Sequence, residues 1–128
     1  MKGVVDSGTG ARLRYRYNLT STIAGKTGTT DNNSDGWFIG INPELATAVW
    51  VGGELRSIHF RSTALGQGAS MALPVYGLFL KKCEKDPKLN FYKGDFDRPP
   101  TIETDMDCSN YIQEVGSEGV TEEYEKEW

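Results

Sequence analysis

The apolar residues of this chain fall in short runs broken by glycine and by polar clusters, which predicts a sheet with few helices. Met1 to Val5 reads as the last turn of a helix that Asp6-Ser7-Gly8-Thr9-Gly10 closes, so the chain is expected to start inside a domain. Arg-Leu-Arg-Tyr-Arg-Tyr from Arg12 to Tyr17 alternates strictly. It predicts a strand or extended arm whose basic face, Arg12, Arg14 and Arg16, meets solvent. Thr20 to Thr30 is rich in β-branched residues and holds two glycines, as suits a strand that something approaches closely.

Asp31-Asn32-Asn33-Ser34-Asp35 predicts a turn, and Gly36 to Ile41 with Leu45 to Val51, flanking Asn42-Pro43-Glu44, predicts a hairpin. Residues 54–68 read as a polar loop. Met71, Val75, Leu78, Phe79 and Lys82-Cys83 then fall at helical spacing, predicting an amphipathic helix over roughly 69–84 that tolerates Pro74 only near its first turn. The fold class expected is α+β, an antiparallel sheet of about three to four strands with a C-terminal helix on one face. Residues 1–86 form the folded body, 87–102 a connector and 103–128 an acidic, disordered tail.

Composition refines this picture in three ways. With 38% apolar residues in 128, the core is expected to be thin. The net charge of -4 conceals an asymmetry: residues 103–128 hold nine acids against Lys126, which leaves the remainder at +4, too weakly basic to argue for nucleic acid. Cys83 and Cys108 can pair only if the tail folds back, so they do not fix the compartment. No apolar stretch approaches the roughly 20 residues of a membrane helix, and any membrane attachment is expected outside this chain.

The candidate chemistry is concentrated in Gly25-Lys26-Thr27-Gly28-Thr29-Thr30. A phosphate loop would need a glycine where Thr20 stands and a helix where the polar turn follows. A strand reading fits better. An edge strand offers main-chain groups to an extended peptide, and Gly28 removes a side chain that would hold the peptide off. Lys26 raises the local positive potential, while the Thr27 and Thr29 hydroxyls can donate to a carboxylate. His59 has no histidine or cysteine partner and takes no metal or catalytic role. Trp37, Phe38 and Trp50 read as core and cross-strand residues, and the Asn18-Leu19-Thr20 sequon reads as accidental.

Taken with Gly8-Thr9-Gly10, Asp35-Gly-Trp-Phe-Ile-Gly40, Pro43, Val49-Trp-Val-Gly52 and Ala72-Leu-Pro74, the Lys-Thr-Gly run resembles the end of the transpeptidase domain of class A, bifunctional penicillin-binding proteins over about residues 1–85. The resemblance implies a parent enzyme at the periplasmic face of the bacterial cytoplasmic membrane, with a glycosyltransferase domain elsewhere. That parent would cross-link peptidoglycan stem peptides and bind β-lactams, without a cofactor. It implies that Lys26 assists proton relay and that Lys26, Thr27, Gly28, Thr29 and Thr30 bind substrate. The Thr29 backbone N–H would form half of the oxyanion hole. No serine here is followed by lysine at the third position or asparagine at the second, so the nucleophile is absent and this chain is expected to be inactive alone. Alternatives are a D,D-carboxypeptidase or β-lactamase-related hydrolase and a non-catalytic peptide-binding β-module. Self-association through an exposed sheet edge or face is a further expectation.

Overall fold

A computed structural model describes residues 1–89, 91 and 94–101, so the acidic tail and the Cys108 partner considered for Cys83 lie outside the described residues. Cys83 is a free thiol. The chain divides into two units, Met1–Asp97 and Arg98–Trp128, and the strands and helices belong to the first.

In order, the elements are α1 (Lys2–Asp6), α2 (Arg12–Tyr15), β1 (Ala24–Thr29), a 3-10 turn (Asp31–Asn33), β2 (Asp35–Ile41), β3 (Ala46–Gly52), α3 (Thr63–Gly66) and α4 (Gly68–Lys85). The three strands form one antiparallel sheet in the order β1-β2-β3. The α+β reading therefore holds, with a three-stranded sheet and a C-terminal helix across one face. The hairpin forms where its apolar runs placed it, and Asn42 Oδ1 accepts from the Glu44 and Leu45 N–H groups to close its turn.

Strand register sorts the side chains into two layers, because directly opposed residues of an antiparallel pair share a face. Phe38 opposes Thr27 and Val49, while Trp37 opposes Gly28 and Trp50. The Phe38 layer carries α4. Its ring packs against Tyr76 with centroids 4.9 Å apart, and both side chains are buried. Gly36 and Gly40 belong to this layer, and a Cβ at Gly40 would lie 2.4 Å from the Tyr76 ring. Val5, Leu13, Tyr17, Leu19, Ile23, Leu73 and Leu80 complete the core, each burial contributing about 1.5–3 kcal/mol for a large side chain.

Two expectations are corrected here. The Arg12–Tyr17 segment is a helical turn, not a strand. A strand would bury Leu13, Tyr15 and Tyr17 together, whereas Tyr15 is 70% exposed and Leu13 and Tyr17, four residues apart, are buried on one helical face. Asn18 stops the turn with φ 55°, a conformation asparagine tolerates, and its N–H bonds the Arg14 carbonyl at 3.0 Å. Nor is Arg14 a solvated surface group. It donates to Asp6 and to the Leu19 and Ser21 carbonyls, holding the loop before β1.

The second correction concerns α4, which forms as expected but turns a different face inward. Of the expected stripe Met71 is buried but Val75, Leu78 and Phe79 point outward, and Ala69, Ala72, Leu73, Tyr76, Gly77 and Leu80 are buried instead. Close approach decides this, since a Cβ at Gly77 would meet the Tyr17 ring at 2.9 Å. The small residues let the helix sit close on that side, so Val75, Leu78 and Phe79 are left outside. Pro74 occupies the seventh position of the helix, well past its first turn. Burial of Ala72, Leu73 and Tyr76 around it offsets one missing backbone hydrogen bond.

Candidate functional site

β1 is an edge strand, and hydrogen bonding alternates along it. The Thr30 N–H bonds across to the Asp35 carbonyl at 3.1 Å, while the Gly25 N–H turns the other way to the Met1 carbonyl at 3.3 Å. The same alternation sends the main-chain groups of Thr27 and Thr29 to the open edge. Of the side chains, Lys26 and Gly28 lie on the uncovered face with Trp37 and Ile39, and Thr27 and Thr29 lie on the face that carries α4. Lysine and threonines thus start on opposite sides of the strand.

The edge reunites them. Lys26 is exposed and bends back so that its Nζ donates to the Thr27 carbonyl at 2.7 Å, which brings the ammonium to the open side of the strand. Thr27 Oγ1 lies 3.2 Å from Thr9 Oγ1 and shares a hydrogen bond with it. Thr29 Oγ1 accepts from the Gly68 N–H at 3.1 Å, which leaves its own O–H proton available. Thr30 is used differently: its hydroxyl bonds Ser34 Oγ and the Asp35 N–H and carbonyl, closing the turn into β2.

Gly28 has only partial exposure, and a Cβ there would meet Trp37 Cβ at 3.2 Å. The tighter constraint is Gly68 at the start of α4. A Cβ there would lie 2.3 Å from the Gly28 carbonyl and 2.4 Å from the Trp37 carbonyl. The helix start is pressed onto the strand beside Thr29, and only glycine permits it.

Sequence reasoning missed Thr9, Arg12 and Gln67. These line a cavity of about 240 Å³ together with Gly8, Tyr15 and Ala69, whose wall reaches the strand through the Thr9–Thr27 hydrogen bond and through Gly68, which follows Gln67 and bonds Thr29. The signal that could have found them is Asn18, a helix stop after Tyr17 that turns the alternating run into a helical one. His59 lines a different, larger cavity of about 350 Å³ with Ser34, Val51, Gly52, Ile58 and Phe60.

No family model matches the chain. Individual proteins do. It is 34% identical over 103 residues to penicillin-binding protein 1A of Aquifex aeolicus, covering 78% of this chain and 12% of that protein. To penicillin-binding protein 1B of Vibrio cholerae it is 41% identical over 81 residues, 63% of this chain and 10% of the relative. The crystal structure of penicillin-binding protein 1A from Haemophilus influenzae superposes with a TM-score of 0.58 at 28% identity, covering 73% of this chain and 13% of that one. The chain belongs with the class A penicillin-binding proteins.

It spans about a tenth of the length of those relatives. As in the penicillin-binding protein matched in structure, the fold is a fragment consistent with a transpeptidase domain. Membership gives the Lys-Thr-Gly strand of this penicillin-binding protein segment a context that three common residues lack by themselves.

Proposed function

We propose that this chain supplies the carboxylate-binding edge of a serine D,D-transpeptidase whose parent protein cross-links peptidoglycan stem peptides in bacterial cell-wall synthesis and binds β-lactams. The observation that carries the reading is the open edge of β1, where the Lys26 ammonium, the Thr29 main chain and the Thr27 and Thr29 hydroxyls converge. An extended peptide ending in a carboxylate would pair with the Thr27 and Thr29 main-chain groups. Lys26 would raise the local potential and assist proton movement, and the hydroxyls would donate to the carboxylate. The Thr29 N–H would stabilise the oxyanion with a second donor from the nucleophile's own backbone, on another stretch of the parent. Thr30 and Gly28 would shape the strand, Thr30 through its turn bonds and Gly28 by keeping that face clear.

The parent would work at the periplasmic face of the cytoplasmic membrane. Among the described residues no helix is long and apolar enough to cross a membrane, and in this reading the anchor and the glycosyltransferase domain lie elsewhere. Acylation by a fluorescent penicillin tests the proposal. We expect labelling of the parent, none of this chain, and a loss of about tenfold or more in the parent's acylation rate for Thr29→Val. Covalent labelling of this chain, or no labelling of the parent, overturns it. Release of free D-alanine without cross-linked product would turn the reading to a D,D-carboxypeptidase.

A further inference from the structure

Arg12 and Arg14 lie two residues apart on one helical turn, and the structure treats them differently. Arg14 is fully engaged, with Asp6 as an ion pair at 2.9 Å and two backbone carbonyls as further acceptors. Arg12 is partly buried and has only two long contacts, to the Ala69 carbonyl at 3.3 Å and to Ser70 Oγ at 3.4 Å. Both acceptors are neutral. Among the described residues the ion pairs are Lys2–Asp95 and Arg14–Asp6, and Arg12 has no carboxylate beside it.

A partly desolvated guanidinium with no anion beside it is costly unless something anionic completes it. The space for such a group is present. The cavity of about 240 Å³ lined by Arg12, Thr9, Gln67 and Ala69 is many times the volume a water occupies. It borders the proposed substrate edge at two points. Thr9 of its wall is hydrogen-bonded to Thr27, and Ala69 of its wall follows Gly68, whose N–H is bonded to Thr29 Oγ1.

We infer that Arg12 and Thr9 form, with Thr27 and Thr29, a single carboxylate pocket, in which the Arg12 guanidinium meets the terminal carboxylate of the peptide held on β1. This deepens the function proposed above and rests on it. The guanidinium fork matches two carboxylate oxygens, which a lysine cannot reproduce. Lys26, whose ammonium is held at the Thr27 carbonyl on the open edge, then serves the reacting end of the ligand while Arg12 holds the anionic end. Arg12 thereby selects free-acid peptides over amidated ones.

The test uses the whole 128-residue chain with N-acetyl-D-alanyl-D-alanine and its C-terminal amide as probes, followed through the backbone amide resonances of Thr9, Thr27 and Gln67. We expect the acid to bind at least about tenfold more tightly than the amide. Arg12→Gln and Thr27→Val should each weaken the acid by about tenfold without changing the amide, and Arg12→Lys should weaken it by about threefold. Should Arg12→Gln lose its fold, Arg12→Lys decides, and an unchanged affinity for the acid overturns the proposal. If Thr27→Val weakens the acid and Arg12→Gln does not, the pocket is refuted while the function of β1 stands. If Arg12→Gln abolishes acid binding and Thr27→Val has no effect, the function assigned to β1 fails and the Arg12 site survives apart from it. No binding by the unaltered chain overturns both.

Discussion

The two faces of the sheet use similar residues to opposite ends. On the α4 face, Phe38 is buried between Gly36 and Gly40, and the helix descends onto the strands through small residues. On the other face Trp37 is 41% exposed, Ile39 45% and Trp50 47%, with no element across them among the described residues. An aromatic side chain on one face is core and on the next residue is surface. The difference teaches that apolar character alone does not mark the interior here; room for close approach does.

The largest expected consequence is in stability. Phe38→Ala should cost about 3–5 kcal/mol, since it empties a filled site against Tyr76, whereas Trp37→Ala should cost less than about 1 kcal/mol. Urea unfolding of both variants measures the pair, and equal losses would mean that the two faces are equally packed. Glycines sharpen the same contrast. Gly68→Ala would drive a Cβ into two backbone carbonyls that cannot rotate away and should cost about 3 kcal/mol. Gly28→Ala meets Trp37 Cβ at 3.2 Å, an encroachment of a few tenths of an ångström instead of a clash with two carbonyls, and should cost about 1 kcal/mol.

How much of this was legible in the sequence follows from which force decided each element. The hairpin and the β1 strand were legible because alternation, turn residues and β-branching all agree there. The direction of α4 was not, because Val75, Leu78 and Phe79 on one side rival the buried Leu73, Tyr76 and Leu80 on the other, so the pattern alone does not choose a face. Contact with Tyr17 and the sheet, which are remote in sequence, made the choice. The Arg12–Tyr17 turn was misread because Leu13 and Tyr17 satisfy both a period of two and a spacing of four. In the site, Lys26, Thr27 and Thr29 were legible as chemistry. That Thr9 and Arg12 lie beside them was not, since only the fold joins residues so far apart.

A smaller effect appears in alkali. Burial, with the Glu84 carboxylate second, pushes the Tyr76 phenol from its ordinary 10 up to about 12. The folded chain therefore keeps a proton that the unfolded chain releases above pH 10. Stability from this group is fully present below pH 10 and is lost as pH rises through 12, by up to about 3 kcal/mol. Tyr76→Phe should lose less stability than the unaltered chain over that window in thermal unfolding. Parallel curves would show that the α4 face admits water to the phenol.

The smallest change in folding stability is expected on the open face, where the effect appears instead in association. Trp37 and Trp50 are directly opposed, and Ile39 with Ala48 continues the patch toward the far end of the strands. An apolar sheet surface of this kind favours contact with another copy, and the β3 edge, with no charge or proline from Ala46 to Gly52, adds unpaired main-chain groups. We expect the chain to self-associate at tens of micromolar in sedimentation velocity. Trp37→Ser with Trp50→Ser should shift it toward monomer while moving the unfolding midpoint by only a few degrees, because neither ring is in the core. A strictly monomeric, compact unaltered chain would overturn the expectation. Serines that left association unchanged would move its cause from the open face to the β3 edge, where a lysine at Ala48 or Val49 would then be the informative change.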